Sequence, residues 1–179
     1  MREEILYAED HADITLIMPH MGIEYQLEPS DEQRNLYHQM IEWGADIIIG
    51  GHPHVAQPSE TVEHNGEKKF ILYSMGNFIS NQREETLGNV WTERGVLMDI
   101  TIEKDTNQTF IREVHGHPTW VNRVANGLYK GQYPLYDYTV YIIEDWLEGG
   151  KYANQLSPEL RPRLQQAYNE VNDLLDIDF

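Results

Sequence analysis

The 179-residue chain contains no cysteine. Disulfides and thiolate-ligated metals are therefore excluded, and any metal would have to be held by His, Asp or Glu. No stretch approaches the roughly 20 consecutive apolar residues that a membrane-spanning helix needs. Met1-Arg2-Glu3-Glu4 lacks the basic-then-apolar order of a secretory signal, so work outside the cell would require a targeting segment beyond this sequence. Positive charge is scarce: 13 Lys and Arg stand against 30 Asp and Glu, a formal net charge of −17. Such a surface repels phosphate backbones and anionic membrane faces, so nucleic acid is not an expected partner. Internal repeats and low-complexity tracts are absent as well. The length suits one domain, residues 1–179, with a sizeable core.

Against these absences, Ile47-Ile48-Ile49-Gly50-Gly51-His52-Pro53-His54 is the most informative stretch. The aliphatic triplet reads as a short buried strand that the two glycines end. Pro53 biases His52 towards an extended conformation, in which residues two apart share a face. Both imidazoles would then point to one side, and neutral imidazole is the commonest side-chain metal ligand. The glycines would leave room for a ligand beside the backbone. Taken alone, the pattern equally suits a loop whose histidines cap neighbouring carbonyls.

The preceding chain narrows that choice. Residues 2–10 have helical composition, and residues 14–18 read as a strand that is apolar almost throughout, as in a sheet covered on both faces. That strand runs into Pro19-His20. Ser30-Asp31-Glu32-Gln33 is a capping-box start, with Gln33 reaching back to Ser30, and Leu36, Tyr37, Met40 and Ile41 form the apolar stripe of a helix over 31–43. Strand, helix and the strand at 46–50 make a βαβ unit with parallel strands. Ligands of such sheets bind beyond the carboxyl ends of the strands, so His20, His52 and His54 should converge there as a metal site.

Downstream the pattern turns to β. Residues 61–64 and 69–74 flank Asn65-Gly66 as a hairpin. Residues 95–103, 109–114 and 138–143 read as further strands, and 80–94 and 122–137 as loops. A closing helix over 160–175 should begin or kink at Pro162. A second pair, His115-Gly116-His117 with Glu113, lies where Gly116 and Pro118 suggest an ending strand, and no second loop converges on it. It is not assigned as a metal site. His11, His38 and His64 read as surface or helix-face residues.

Three motifs in order, His20-Met21-Gly22-Ile23-Glu24-Tyr25, Gly50-Gly51-His52-Pro53-His54-Val55 and Tyr73-Ser74-Met75-Gly76-Asn77-Phe78, resemble those of CapA-type capsule and poly-γ-glutamate synthesis proteins. That group is part of the calcineurin-like metallophosphatase superfamily. The resemblance covers residues 1–104 well and the remainder loosely. It departs at Met21, where the family usually carries Trp. It implies an α/β (α+β) fold: the C-terminal half of a metallophosphatase-like layered β-sandwich with flanking helices. Residues 1–104 would be the core half, and 105–179 further strands, loops and the last helix. The superfamily's other ligands would precede Met1.

By the same resemblance His20 and His52 would bind one ion of a divalent metal pair (Mn, Fe or Zn), and His54 the other. His20, Glu24 and Asn77 are the implied catalytic residues, with Tyr25 near the substrate. The implied role is envelope polymer synthesis or export. The chain would act either as a phosphoesterase-like hydrolase or as a non-catalytic scaffold, with a phosphorylated or polymeric substrate and other capsule or polyglutamate synthesis proteins as partners. The implied location is the extracytoplasmic cell surface, through an anchoring segment not in this sequence, the alternative being the cytoplasm. With at most three neutral ligands, the 179 residues alone should bind divalent metal weakly, hydrolyse little and associate as a homodimer.

Overall fold

The computed structural model describes residues 1–106, 108–175 and 177–179. Helix α1 (Arg2–Glu9) leads to β1 (Leu16–Ile17), α2 (Asp31–Glu42) and β2 (Ile47–Ile49). Ser30 caps α2, its Oγ accepting from the Gln33 amide at 3.2 Å. The Gln33 side chain does not complete the capping box. It turns into the core instead and donates to Gln57 Oε1 and to the Tyr73 carbonyl. Strands β1 and β2 pair in parallel, Leu16 opposite Ile47, as the βαβ reading requires.

β1 differs from expectation in length and cover. It is a two-residue edge strand with only β2 beside it, and Leu16 and Met18 are 48% and 65% exposed. A strand bonded along one edge has nothing to extend or cover it on the other.

Strands β3 (Ser59–His64) and β4 (Glu67–Leu72) form the expected hairpin around Asn65 and Gly66, which both adopt positive φ. β4 then lies parallel to β2, giving the order β1-β2-β4-β3. A short helix, α3 (Glu84–Leu87), interrupts the segment before β5 (Arg94–Lys104). The second sheet is antiparallel and joins β5, β6 (Thr109–Lys130) and β7 (Tyr133–Ile142). Here two expectations are corrected. β6 does not end at Gly116 and Pro118, and most of the supposed loop at 122–137 is the β6–β7 ladder. Gly116 is a packing glycine: a Cβ there would lie 2.6 Å from Leu175 Cδ1. The Asn- and Gly-rich stretch fits a strand because a bulge between Ala125 and Tyr129 takes up Gly127 at φ +78°. Helix α4 (Arg161–Leu174) carries Pro162 in its first turn, where the missing N–H costs nothing.

Alternation along the buried strands builds the layers. Ile47, Ile49, Phe70 and Leu72 face Val96, Ile111 and Val114 of the second sheet and Val171 of α4. Ile48, Ile71 and Tyr73 face the other way, against Ile5, Tyr37, Met40 and Ile41 of the two N-terminal helices. Trp120 and Ile143 anchor a third cluster on α4's Leu164 and Ala167. The fold is mixed α/β, as expected.

Tyr37 and Lys69 are among the groups that tie the first sheet to pH. Burial pushes the Tyr37 phenol up to about 12, a shift that Gln33 only partly opposes. Burial also works against the charge of Lys69, but hydrogen bonds and attraction from Asp46 and Glu67 outweigh it and hold the ammonium above its usual range. Both groups keep their protons more tightly when folded, so the stability they confer is complete below their unfolded values near pH 10 and is lost as pH rises through the folded ones. The urea midpoint should be flat up to about pH 9.5 and then fall towards pH 12, more shallowly in Tyr37→Phe.

At the end of β2 a Cβ on Gly50 would overlap the Tyr73 carbonyl oxygen and lie 2.6 Å from the Tyr37 hydroxyl. Gly50→Ala should therefore cost about 3 kcal/mol, the upper end of overpacking costs. Gly66→Ala, with nothing within 4 Å of its new methyl but a φ of +82°, should cost only about 1 kcal/mol. Urea unfolding of both variants checks the contrast.

Candidate functional site

The two parallel strands deliver their loops to one edge through backbone pairing that continues past the strands themselves. The Gly51 amide donates to the Pro19 carbonyl and the Met21 amide to the Gly51 carbonyl, both at 3.1 Å, so His20 pairs with Gly51. His52 Nδ1 thereby lies 3.3 Å from His20 Nε2, with the rings edge to face. A Cβ on Gly51 would meet only the His20 ring, at 3.9 Å, so the space in front of the pair is open.

His52 is not extended, contrary to the expectation from Pro53: its φ is +102° and that of His54 is +60°. Tyr25, bonded through its amide to the Pro53 carbonyl at 2.7 Å, has φ +66°. Three of the four non-glycine residues with positive φ among the described residues thus sit in this one loop cluster. Each costs on the order of 1–3 kcal/mol and persists only where its surroundings hold it.

His54 faces a different partner. Its Nδ1 lies 2.9 Å from Asn77 Oδ1. The two hydrogens of the Asn77 amide nitrogen are shared among the carbonyls of His54 and Thr92 and Gln82 Oε1, at 3.0–3.3 Å. Those bonds leave Oδ1 as the acceptor, so Nδ1 of His54 donates to it, and in the neutral ring Nε2 is the nitrogen without a proton. Such a bond is what orients and polarises an imidazole ligand in metal sites. Asn77 reaches this place because Gly76, at φ +69°, threads between the Arg94 carbonyl and the Ala56 amide, where a Cβ would fall within 2.9 Å of both. Gln82 and Thr92 escaped the sequence reading, since nothing in their local pattern marks them.

The candidate residues therefore form a pair and a neighbour. His20 and His52 are joined; the His54 ring centroid is 6.3 Å from that of His52, and Tyr25 stacks on His54 at 6.2 Å. Glu24 is exposed and makes no hydrogen bond or ion pair among the described residues. No three His, Asp or Glu side chains among the described residues converge as a complete ligand group.

The pair itself fits one ion. Two imidazole nitrogens bound at about 2.0–2.1 Å in tetrahedral geometry stand roughly 3.3 Å apart, which is the separation of His20 and His52. A second ion would have His54, and among the described residues no complete ligand group supplies a bridging carboxylate. The adjoining hollow of about 380 Å³ is lined by His20, Met21, Gly22, Ile23, Ser30, Glu32 and His52, without a lysine or arginine. The other pair, His115 and His117, lies on β6 with His115 exposed and His117 bonded to Glu144 at 2.7 Å.

Residues 1–82 match the family described as "Bacterial capsule synthesis protein PGA_cap". Over 75 residues the chain is 48% identical to the "PGA biosynthesis protein CapA" of Bacillus subtilis (strain 168), covering 42% of this chain and 19% of that protein. Over 72 residues it is 40% identical to the "Capsule biosynthesis protein CapA" of Bacillus anthracis, covering 40% of this chain and 16% of that one. The chain thus aligns with less than a fifth of either curated relative. The resemblance to CapA-type proteins holds over the matched stretch, and that stretch carries His20, Glu24, His52, His54 and Asn77.

The tautomer of His54 is open to direct measurement. Histidine-selective ¹⁵N correlation spectra above neutral pH should show its Nδ1 protonated and Nε2 bare. Asn77→Ala should release that preference and destabilise the fold by about 1–3 kcal/mol, because buried carbonyls lose their donor. A His54 protonated on Nε2 in the unmodified chain would contradict the assignment.

Proposed function

We propose that this chain serves capsule or poly-γ-glutamate synthesis, and that its histidine loops are one wall of a metal-dependent, phosphoesterase-like hydrolase site acting on a phosphorylated or polymeric envelope substrate. The observation that carries the metal reading is the 3.3 Å separation of His20 and His52 at the ends of adjacent parallel strands. The polymer context rests on the CapA relatives. His20 and His52 would hold one divalent ion (Mn, Fe or Zn), and His54 would offer its bare Nε2 to a second. Bound there, such ions would supply Lewis acidity and an activated water.

The chain's own contribution is positioning. Asn77 fixes the His54 proton on Nδ1, the strained backbone aims His52 and His54, and Gly51 keeps the approach clear. With no Lys or Arg lining the hollow, the positive charge for a phosphoryl oxygen would come from the ions. Among the described residues Glu24 is the carboxylate of the motif that could add to the histidines, and it stands exposed and unbonded. The partners would be other capsule or polyglutamate synthesis proteins, and the setting the extracytoplasmic surface.

A second reading, a non-catalytic scaffold in the same assembly, is favoured by the want of a complete group of three or more His, Asp or Glu ligands among the described residues. Calorimetric titration with Mn²⁺ and Zn²⁺ separates the outcomes. The chain should bind weakly, lose binding in His20→Ala or His52→Ala, and keep it in His115→Ala. A longer form that carries a full ligand set and hydrolyses a generic phosphodiester would support the enzyme, whereas one that loads metal and stays inert would support the scaffold. Loss of binding in His115→Ala would move the site to the other histidine pair.

A further inference from the structure

The last pair between β5 and β6 is Arg94 opposite Trp120. Beyond it β6 and β7 continue as a two-stranded ribbon through Lys130 and Tyr133, about 30 Å at the usual strand rise. Among the described residues the ribbon is tied to the body at its root, by Arg123 and Tyr138 on Asn81, by Arg123 on Glu85 and by Arg83 on the Val121 carbonyl. An isolated two-stranded ribbon is marginal in water and needs a covered face.

Register shows which face lacks its cover. Val124 is opposite Asp137 and Lys130 is opposite Tyr133. By alternation Tyr133 and Leu135 share a side with Asp137, and Leu128 shares it with Lys130. Val124, Leu128, Tyr133 and Leu135 therefore lie on one face, together with Lys130 and Asp137, and the four apolar side chains are 39–67% exposed. The opposite face is already occupied in part, with Arg123 over the Tyr136 ring at 4.3 Å.

Charge and outline indicate the occupant. Across residues 122–140, Arg123 and Lys130 outnumber Asp137, so the ribbon is weakly positive in a chain of net charge −17. It is where two copies of so acidic a chain can meet without repulsion. A projection of about 30 Å also keeps the two bodies farther apart than the Debye length of about 8 Å at physiological salt. The chain exposes 10365 Å², whereas a compact monomer of 20.9 kDa would expose roughly 9,000 Å². That excess of roughly 1,400 Å² belongs to an extended outline, and the projecting ribbon is one of its sources.

We propose that the outer half of the β6–β7 hairpin is a homodimerisation arm, its Val124, Leu128, Tyr133 and Leu135 face covered by the same face of a second copy about a two-fold axis. Such an isologous contact closes on itself and leaves the histidine loops outside the interface.

Sedimentation velocity on the full chain should give a mass near twice 20.9 kDa. The Leu128→Asp, Leu135→Asp double variant should run as a monomer with an unchanged far-UV spectrum. Met18→Asp, on the exposed edge of β1, should remain dimeric. Because the chain has no cysteine of its own, introduced thiols report contact cleanly. Tyr133→Cys should give a covalent dimer on mild oxidation, and Tyr129→Cys, on the opposite face, should not. A monomer at every concentration, a dimer that survives the double substitution, or a dimer lost in Met18→Asp would each overturn the proposal.

Discussion

The structure depends on how closely β2 passes Tyr73. Gly50 donates to the Leu72 carbonyl at 2.8 Å and accepts from the Met75 amide at 3.0 Å, while Gly51 is bonded on its other side to Pro19 and Met21. A segment stitched to both neighbours within two residues has no freedom in where it delivers the next residue. His52 therefore meets His20, and Ser74 to Asn77 is carried in the other direction, towards β5. Any side chain at position 50 would part β2 from β4 and loosen both ends of the site together.

The layers on either side convert that local constraint into rigidity. Ile48 and Ile71 are held by α1 and α2, and Ile47 and Phe70 by the second sheet, so β2 and β4 cannot slide without disturbing packing on both faces. Close-packed interiors move between discrete arrangements rather than deform smoothly. The histidine loops thus stand on the least deformable part of the molecule, although they are irregular themselves. Rigid strands below and strained loops above are the arrangement expected of a binding edge in a parallel sheet.

How much of this could be read from residues alone varied with the range of the forces involved. The βαβ unit, the Ser30 cap, the Asn65-Gly66 turn and the meeting of His20 with His52 follow from local pattern and the topology it implies. The conformation of His52 did not, because the bias that Pro53 imposes competes with the bonds of the neighbouring Gly51 to Pro19 and Met21, about thirty residues away in sequence. Gln33 fits the capping-box pattern, yet the buried Tyr73 carbonyl and Gln57 claimed its side chain. The length of β6 was hidden for a similar reason: Gly116 and Asn-Gly-rich 126–127 have low strand propensity, and cross-strand pairing with β5 and β7 overrode it. Asn77 was visible as a motif residue, but its grip on the His54 tautomer depends on the Thr92 carbonyl, which no short pattern announces.

The positive φ values at His52 and His54 also bear on how this sequence could change under selection. Glycine is the residue at home in such conformations, and an imidazole there is held against its own preference. A library screened only for folding yield or heat resistance would enrich replacements that tolerate the turn, and it would erase the histidines early. Engineering for robustness and keeping the site are therefore opposed at these two positions, whereas Gly66 or the surface of α4 can be altered without that conflict.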